Sequence, residues 1–174
     1  CKRLIALSHN AKDIQLEAIR NFAFNPREIE NKLTVLYPPQ QVHVNEFAEK
    51  TLPRKRIRFS FVGSDFFLKG GREVLDVFAD LLSTGAQLEL CIVSDLSLDT
   101  YASGATNEDK QEVLHILSEY SSQIKHYPRL RHKQVIELFK RSHVGLLPSY
   151  ADTFGYTVLE AQACGCPVIT TDIR

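Results

Sequence analysis

The sequence predicts an α/β fold whose parallel sheet is covered by helices on both faces, and three features of the 174-residue chain predict it. Short apolar runs alternate with amphipathic segments from residue 57 onward. The runs are apolar almost without interruption, as strands buried on both faces are. The intervening segments are long enough for helical crossovers, and right-handed crossovers of this kind build parallel sheets.

The elements follow in order. Leu4 to Leu7 is a short apolar run and predicts a strand. Asp13 to Phe22 places Ile14, Ala18 and Phe22 at four-residue spacing, which predicts an amphipathic helix. Leu33 to Leu36 is extended, and Pro38-Pro39 stops it. Residues 40–56 carry little pattern, end in Arg54-Lys55-Arg56 and read as a linker. The basic cluster suits a solvated domain edge better than a phosphate site. Ile57 to Val62 is the next strand. Val74 to Leu82 lies in a helix with Val74, Leu75, Phe78, Leu81 and Leu82 on one face. Leu88 to Val93 is a strand, and Glu112 to Tyr120 is helical with Val113, Ile116, Leu117 and Tyr120 aligned. Ile124 to Tyr127 is a weaker strand, Val135 to Lys140 a helix, and Val144 to Leu147 a strand. Thr157 to Cys164 is a helix stopped by Gly165 and Pro167, and Val168 to Thr170 is the last strand.

Composition narrows the function. Hydrophobic residues make up 44% and charged residues 24%, the globular range. Lys and Arg balance Asp and Glu at 21 each, which argues against a nucleic-acid partner, whose phosphates need a basic surface. No apolar run approaches the roughly 20 residues of a membrane span. The chain opens on Cys1-Lys2-Arg3 rather than a methionine, which reads as a piece of a longer protein. Cys1, Cys91, Cys164 and Cys166 form no C-x-x-C pair. Cys91 sits in an apolar run as a small hydrophobe, and Cys164 and Cys166 flank Gly165 in a turn. The six histidines, His9, His43, His115, His126, His132 and His143, show no metal spacing either. No metal is expected, and a reducing cytoplasm is the expected compartment.

In a parallel sheet, ligands bind beyond the carboxyl ends of the strands. That rule singles out Gly63 to Gly71, Ser94 to Thr106, Tyr127 to His132, Pro148 to Tyr156 and whatever follows Thr170. In the first of these a strand ends at Gly63-Ser64, and a helix starts just after Lys69-Gly70-Gly71. Amides at a helix N-terminus attract an anion, and Lys69 adds a full positive charge. The same residues also suit a plain glycine-rich helix start with an exposed lysine. In the loop from Pro148, a strand runs through Asp152, Phe154 and Gly155 into a helix, with Glu160 expected near its first turn. A carboxylate there gains from the helix dipole and can accept two hydrogen bonds from a vicinal diol, such as a ribose presents. Asp152, eight residues earlier, is placed for a second set of hydroxyls, and the amides of Gly155, Tyr156, Thr157 and Val158 for a diphosphate. A helix with a stabilising acid in its first turn is the simpler alternative.

The segment Pro-Ser-x-x-acid-x-Phe-Gly-x-x-x-x-Glu-Ala-x-Ala-Cys-Gly-x-Pro-Val-Ile-x-Thr-Asp, residues 148–172, resembles the E-x7-E signature of retaining GT-B glycosyltransferases of the large family 4 group. Gly63 to Gly70 resembles that family's donor-phosphate loop, and Ser8-x-x-Ala11 its serine-alanine helix start. The resemblance implies a Rossmann-like sheet forming one half of a GT-B fold. Residues 1–39 would be the tail end of the N-terminal acceptor domain, 40–56 a linker, and 57–174 a donor-binding domain truncated at its C-terminal end.

Roles follow residue by residue from the resemblance. Glu160 matches the ribose ligand. Asp152 stands for the glutamate that touches the donor sugar. Phe154 and Gly155 lie along sugar and phosphate, with Tyr156, Thr157 and Val158 beside them. Lys69, with Gly63 and Ser64, matches the diphosphate loop. Tyr127, Pro128, Arg129 and Leu130 frame the base. Lys69, Asp152 and Glu160 would carry the chemistry, without metal or cofactor. The partners would be a UDP- or GDP-sugar donor and a saccharide or lipid-linked acceptor held mainly by the missing N-terminal domain. The parent would be cytoplasmic, at most peripheral to the membrane. Two departures stand out. The family's usual second cation beside Lys69 is replaced by Ser64 and Leu68, leaving Arg72 or Arg129 as substitutes, and Asp152 replaces a glutamate. A nucleotide-sugar-binding module without catalysis, or a GT-B nucleotide-sugar epimerase, are the alternatives.

Overall fold

The computed structural model describes residues 2–20, 25–98, 103–152 and 154–173. Cys1, Phe22 and Thr153 lie outside the described residues. Contacts divide the chain into two units, residues 1–40 with 152–155 and 174, and residues 41–151 with 156–173.

In the first unit, β1 (Leu4–Ala6) and β2 (Leu33–Val35) pair in parallel, with α1 (His9–Arg20) and α2 (Pro26–Glu30) between them in the chain. Ser8 caps α1, its Oγ accepting the Ala11 N–H at 2.9 Å, which satisfies one of the helix's orphan donors. The core is Ala6, Leu16 and Leu33. The helix begins four residues earlier than its spacing predicts and buries Ala11 and Leu16, while Ile14 on the expected face is exposed. Two apolar stripes run along α1, and periodicity alone does not choose between them. The short α2 went unpredicted, although Asn25 caps it and Pro26 stands at its start, a pairing suited to a helix N-terminus.

The second unit holds a five-stranded, all-parallel sheet in the order β5-β4-β3-β6-β7. Its strands are β3 (Ile57–Asp65), β4 (Leu88–Asp95), β5 (Ile124–Tyr127), β6 (Val144–Leu147) and β7 (Val168–Thr170). Its helices are α3 (Gly71–Ser83), α4 (Asn107–Glu119), α5 (His132–Lys140) and α6 (Tyr156–Ala163). This is the predicted α/β architecture with both faces covered.

Side chains alternate across the sheet, as the two-residue period of a strand requires. Phe61, Leu90, Ile92 and Leu146 face a core shared with Leu75 and Phe78 of α3 and Val113 of α4. Val93 joins Val135, Ile136 and Phe139 of α5 and Ala161 of α6 in the other core. Burying a side chain such as Phe61 fully is worth about 1.5–3 kcal/mol. Leu81, expected on the buried face of α3, is instead exposed at its edge. On the α5–α6 side, Cys91, Ser60 and Gly145 sit in register across three strands. A Cβ on Gly145 would lie 3.4 Å from that of Ala161, so the bare glycine lets α6 approach closely.

Residues 41–56 group with the second unit and are hydrogen-bonded to it. The N–H groups of His43 and Val44 donate to the Ala163 carbonyl at 2.7 and 3.1 Å. Lys50 Nζ donates to the carbonyls of Phe139 and Cys164 at 3.0 and 3.2 Å. One cation thus serves the C-terminal ends of both α5 and α6, where the helix dipoles favour positive charge. Such bonds leave no trace in hydrophobic periodicity.

Burial pushes the thiols of Cys91 and Cys164 up to about 11, and that of Cys166 upward as well. The thiolate is the reactive form. All three cysteines should therefore resist iodoacetamide at about pH 7.5 in the native protein and label fully in denaturant, as read by peptide mass spectrometry. Rapid native labelling of any of them would contradict this burial.

Among the described residues no helix is long and apolar enough to cross a membrane.

Candidate functional site

The sheet order contains one reversal. From β3 the chain moves to β4 on one side, and from β6 it moves to β7 on the other. Loops leaving two such neighbouring strands diverge and open a crevice at their carboxyl ends. The loops after β3 and β6 are the two in which the sequence offers amides at a helix start for an anion.

β3 runs three residues beyond its predicted end, so Gly63 and Ser64 belong to the strand and the turn proper is Phe66 to Gly70. Phe66 and Phe67 anchor that turn in the core, with Phe66 edge-on to Phe61 at 5.7 Å between centroids. Anchoring brings Lys69 back over the strand. A Cβ on Gly63 would lie 3.1 Å from Lys69 Cγ, so the aliphatic stem packs on the bare glycine. Lys69 Nζ donates to the Ala151 carbonyl at 2.8 Å, and the Tyr150 N–H donates to the Leu68 carbonyl at 3.0 Å. The Tyr150 hydroxyl donates to Glu73 Oε1 at 2.5 Å, a bond that raises the phenol's pKa. Two bonds thus join the loops, and a third ties Tyr150 to α3. Gly70 caps α3 with φ at +75°, and a Cβ there would stand 2.3 Å from the Pro148 carbonyl oxygen. Behind them, the hydroxyls of Thr170 and Thr171 donate to the carbonyls of Leu147 and Ser149.

Arg72 does not join Lys69. Its guanidinium is taken by Asp76 at 3.0 Å, by Glu112, and by the Asp109 carbonyl at 3.3 Å, tying α3 to α4. The Glu112 hydrogen bond, ahead of burial and Asp76, sets the balance that raises its pKa. Arg129 is exposed on the loop after β5. A cavity of about 400 Å³ lies beside the turn, lined by Phe67, Leu68, Arg72, Glu73, Gly104 and Tyr150. Its main charges already face one another or their neighbours.

α6 starts at Tyr156, so Glu160 is its fifth residue and not in the first turn. The dipole falls off within the first turn, so it contributes less here than the sequence suggested. Glu160 instead meets His132, the first residue of α5, with Oε1 3.0 Å from Nε2. His132 closes one of the loops at the crevice, yet the local sequence carries no sign of this pairing, because the two residues are 28 positions apart. Tyr127 and Pro128 are exposed at the end of β5, while Leu130 packs against the α5–α6 core. Thr157 and Val158 are half-buried in α6.

Asp152, Phe154 and Gly155 group with the first unit. Asp152 Oδ1 accepts the N–H groups of Phe154 and Gly155 at 3.2 and 3.0 Å, an Asx-type turn closed by Gly155 at φ +75°. That carboxylate, expected to meet hydroxyls, therefore also has a structural use, and two amides expected at a phosphate point to it. Phe154 lies near Tyr37, ring centroids 6.3 Å apart. Among the described residues, no group of three His, Cys, Asp or Glu side chains is arranged to hold a metal ion.

The family model described as "Glycosyl transferases group 1" matches residues 44–174. D-inositol 3-phosphate glycosyltransferase of Arthrobacter sp. (strain FB24) is 28% identical over 126 residues, covering 72% of this chain and 29% of that protein. The chain therefore spans about three tenths of that relative's length. The crystal structure of WaaG, a glycosyltransferase involved in lipopolysaccharide biosynthesis, superposes with a TM-score of 0.69 at 19% identity, covering 98% of this chain and 44% of that one. The Anabaena protein HepE, in complex with UDP and glucose, superposes with a TM-score of 0.69 at 14% identity, covering 99% of this chain and 45% of that one.

Proposed function

Because the chain belongs to the glycosyl transferases group 1 family, we propose that it is the donor-binding part of an enzyme that transfers a hexosyl group from a nucleotide-diphosphate sugar with retention and without a metal. The observation that carries this reading is the joining of the Lys69 turn to the Pro148–Ala151 loop at the sheet's reversal. An ammonium held there supports a role in neutralising the diphosphate as it leaves, where preorganised charge acts most strongly. Glu160 would take the ribose diol, Asp152 the sugar hydroxyls, and Tyr127 to Leu130 the base. UDP is the first candidate donor nucleotide, since HepE holds it. Residues 1–39 would end an acceptor domain, and the saccharide or lipid-linked acceptor would sit mainly there. The parent would work in the cytoplasm, at most peripheral to the membrane. This chain alone should bind donor and not turn it over.

UDP or GDP at millimolar concentration should raise the melting temperature of the chain. A ligand at a hundredfold excess over its Kd stabilises the folded form by about 2.7 kcal/mol. If neither nucleotide moves the melt, the reading fails.

One observation favours a second reading. With Ser64 and Leu68 beside Lys69 and Arg72 locked by acids, the diphosphate would meet one cation where the family offers two. A donor-binding module without catalysis fits that arrangement. A full-length protein that binds donor yet transfers nothing to any acceptor would select it.

A further inference from the structure

The contact between Glu160 and His132 is not a packing contact. The His132 side chain is 64% exposed and that of Glu160 20%. They stand on separate helices, α5 and α6, and meet through Nε2 and Oε1 at 3.0 Å. With a proton on Nε2 the imidazole donates to the carboxylate whether it is neutral or charged. A carboxylate offers about four acceptor sites, and this bond uses one of them. A glutamate held by a ligand loses most of its rotamer freedom. A contact made before the ligand arrives removes much of that loss from the binding step.

We propose that His132 is a positioning residue for Glu160, holding the carboxylate in the orientation that receives the two ribose hydroxyls of the donor. The proposal rests on Glu160 being the ribose ligand. His132 also follows the Tyr127–Leu130 loop by two residues, at the first position of α5. The histidine therefore links the segment assigned to the base with the carboxylate assigned to the sugar ring beside it, and adjusts selectivity for a ribose with both hydroxyls.

The test is calorimetric titration of the 174-residue chain with UDP, GDP and their 2′,3′-dideoxy forms. Wild type, His132→Ala, His132→Gln and Glu160→Ala are compared. His132→Ala should weaken the ribonucleotide about fivefold and leave the dideoxynucleotide unchanged, because only the former uses the prepared carboxylate. The glutamine amide can still donate to Oε1, so His132→Gln should recover affinity to within about twofold of wild type. Glu160→Ala should remove the preference for ribose altogether. If Glu160→Ala removes that preference and His132→Ala does not reduce it, His132 positions nothing and the donor reading stands. If Glu160→Ala leaves the preference intact, or wild type binds no nucleotide, the ribose assignment fails and takes this proposal with it.

Discussion

Gly70→Ala should lower the stability of the chain by about 2–4 kcal/mol, since it combines an unfavourable backbone angle with a direct overlap. At φ +75° an L side chain is strained wherever it stands. Here the added methyl would also lie 2.3 Å from the Pro148 carbonyl oxygen, well inside contact distance. The overlap is with backbone, so no rotamer change relieves it. The chain can respond only by separating the turn after β3 from the loop after β6. Gly85 provides the control. It has φ +85° with nothing within 4 Å, so Gly85→Ala should show the angular strain alone, about 1 kcal/mol. Urea unfolding of both variants gives the comparison. Equal losses would mean that the close approach at Pro148 contributes nothing.

Lys69→Met should weaken nucleoside diphosphate binding at least tenfold, corresponding to about 1.5–3 kcal/mol for a charge-assisted contact. Methionine keeps an apolar stem against Gly63 and removes only the ammonium, so the fold should survive. The variant should also lose most of the salt dependence that wild-type binding shows, because screening acts on the charge that was removed. Calorimetry at low and high salt measures both effects. Unchanged affinity in Lys69→Met would exclude Lys69 as the diphosphate partner and leave the crevice without a known cation.

Much of this architecture was legible in the sequence, and what was legible shares a physical cause. β5, β6 and β7 have the bounds the sequence predicts, and β6 shows why most plainly: Gly145, Leu146 and Leu147 are all buried, as a strand covered on both faces requires. The helices α3 and α5 announced themselves by their buried stripes, including Phe78 and Phe139. The alternation of these elements then directed attention to the crevice loops. What stayed hidden depends on contacts between distant residues. His132 meets Glu160 across 28 positions, and Lys50 reaches a carbonyl 114 residues away. Neither contact alters local periodicity. The end of β3 was missed for a related reason. Gly63-Ser64-Asp65 has the composition of a turn, yet Asp65 still pairs with Asp95 after an irregularity in the ladder. On α1, two competing stripes made the helix evident and its buried side ambiguous.

The Lys50 ammonium has a consequence for how chains of this type can vary in length. It holds one carbonyl at the end of α5 and one just beyond α6 at the same time. A residue inserted within either helix shifts everything after it by about 1.5 Å and turns it by about 100°. One of the two carbonyls would then leave the reach of the ammonium. Insertions and deletions should therefore be excluded from the bodies of these two helices. One ammonium thus acts as a ruler for the two helices that carry His132 and Glu160.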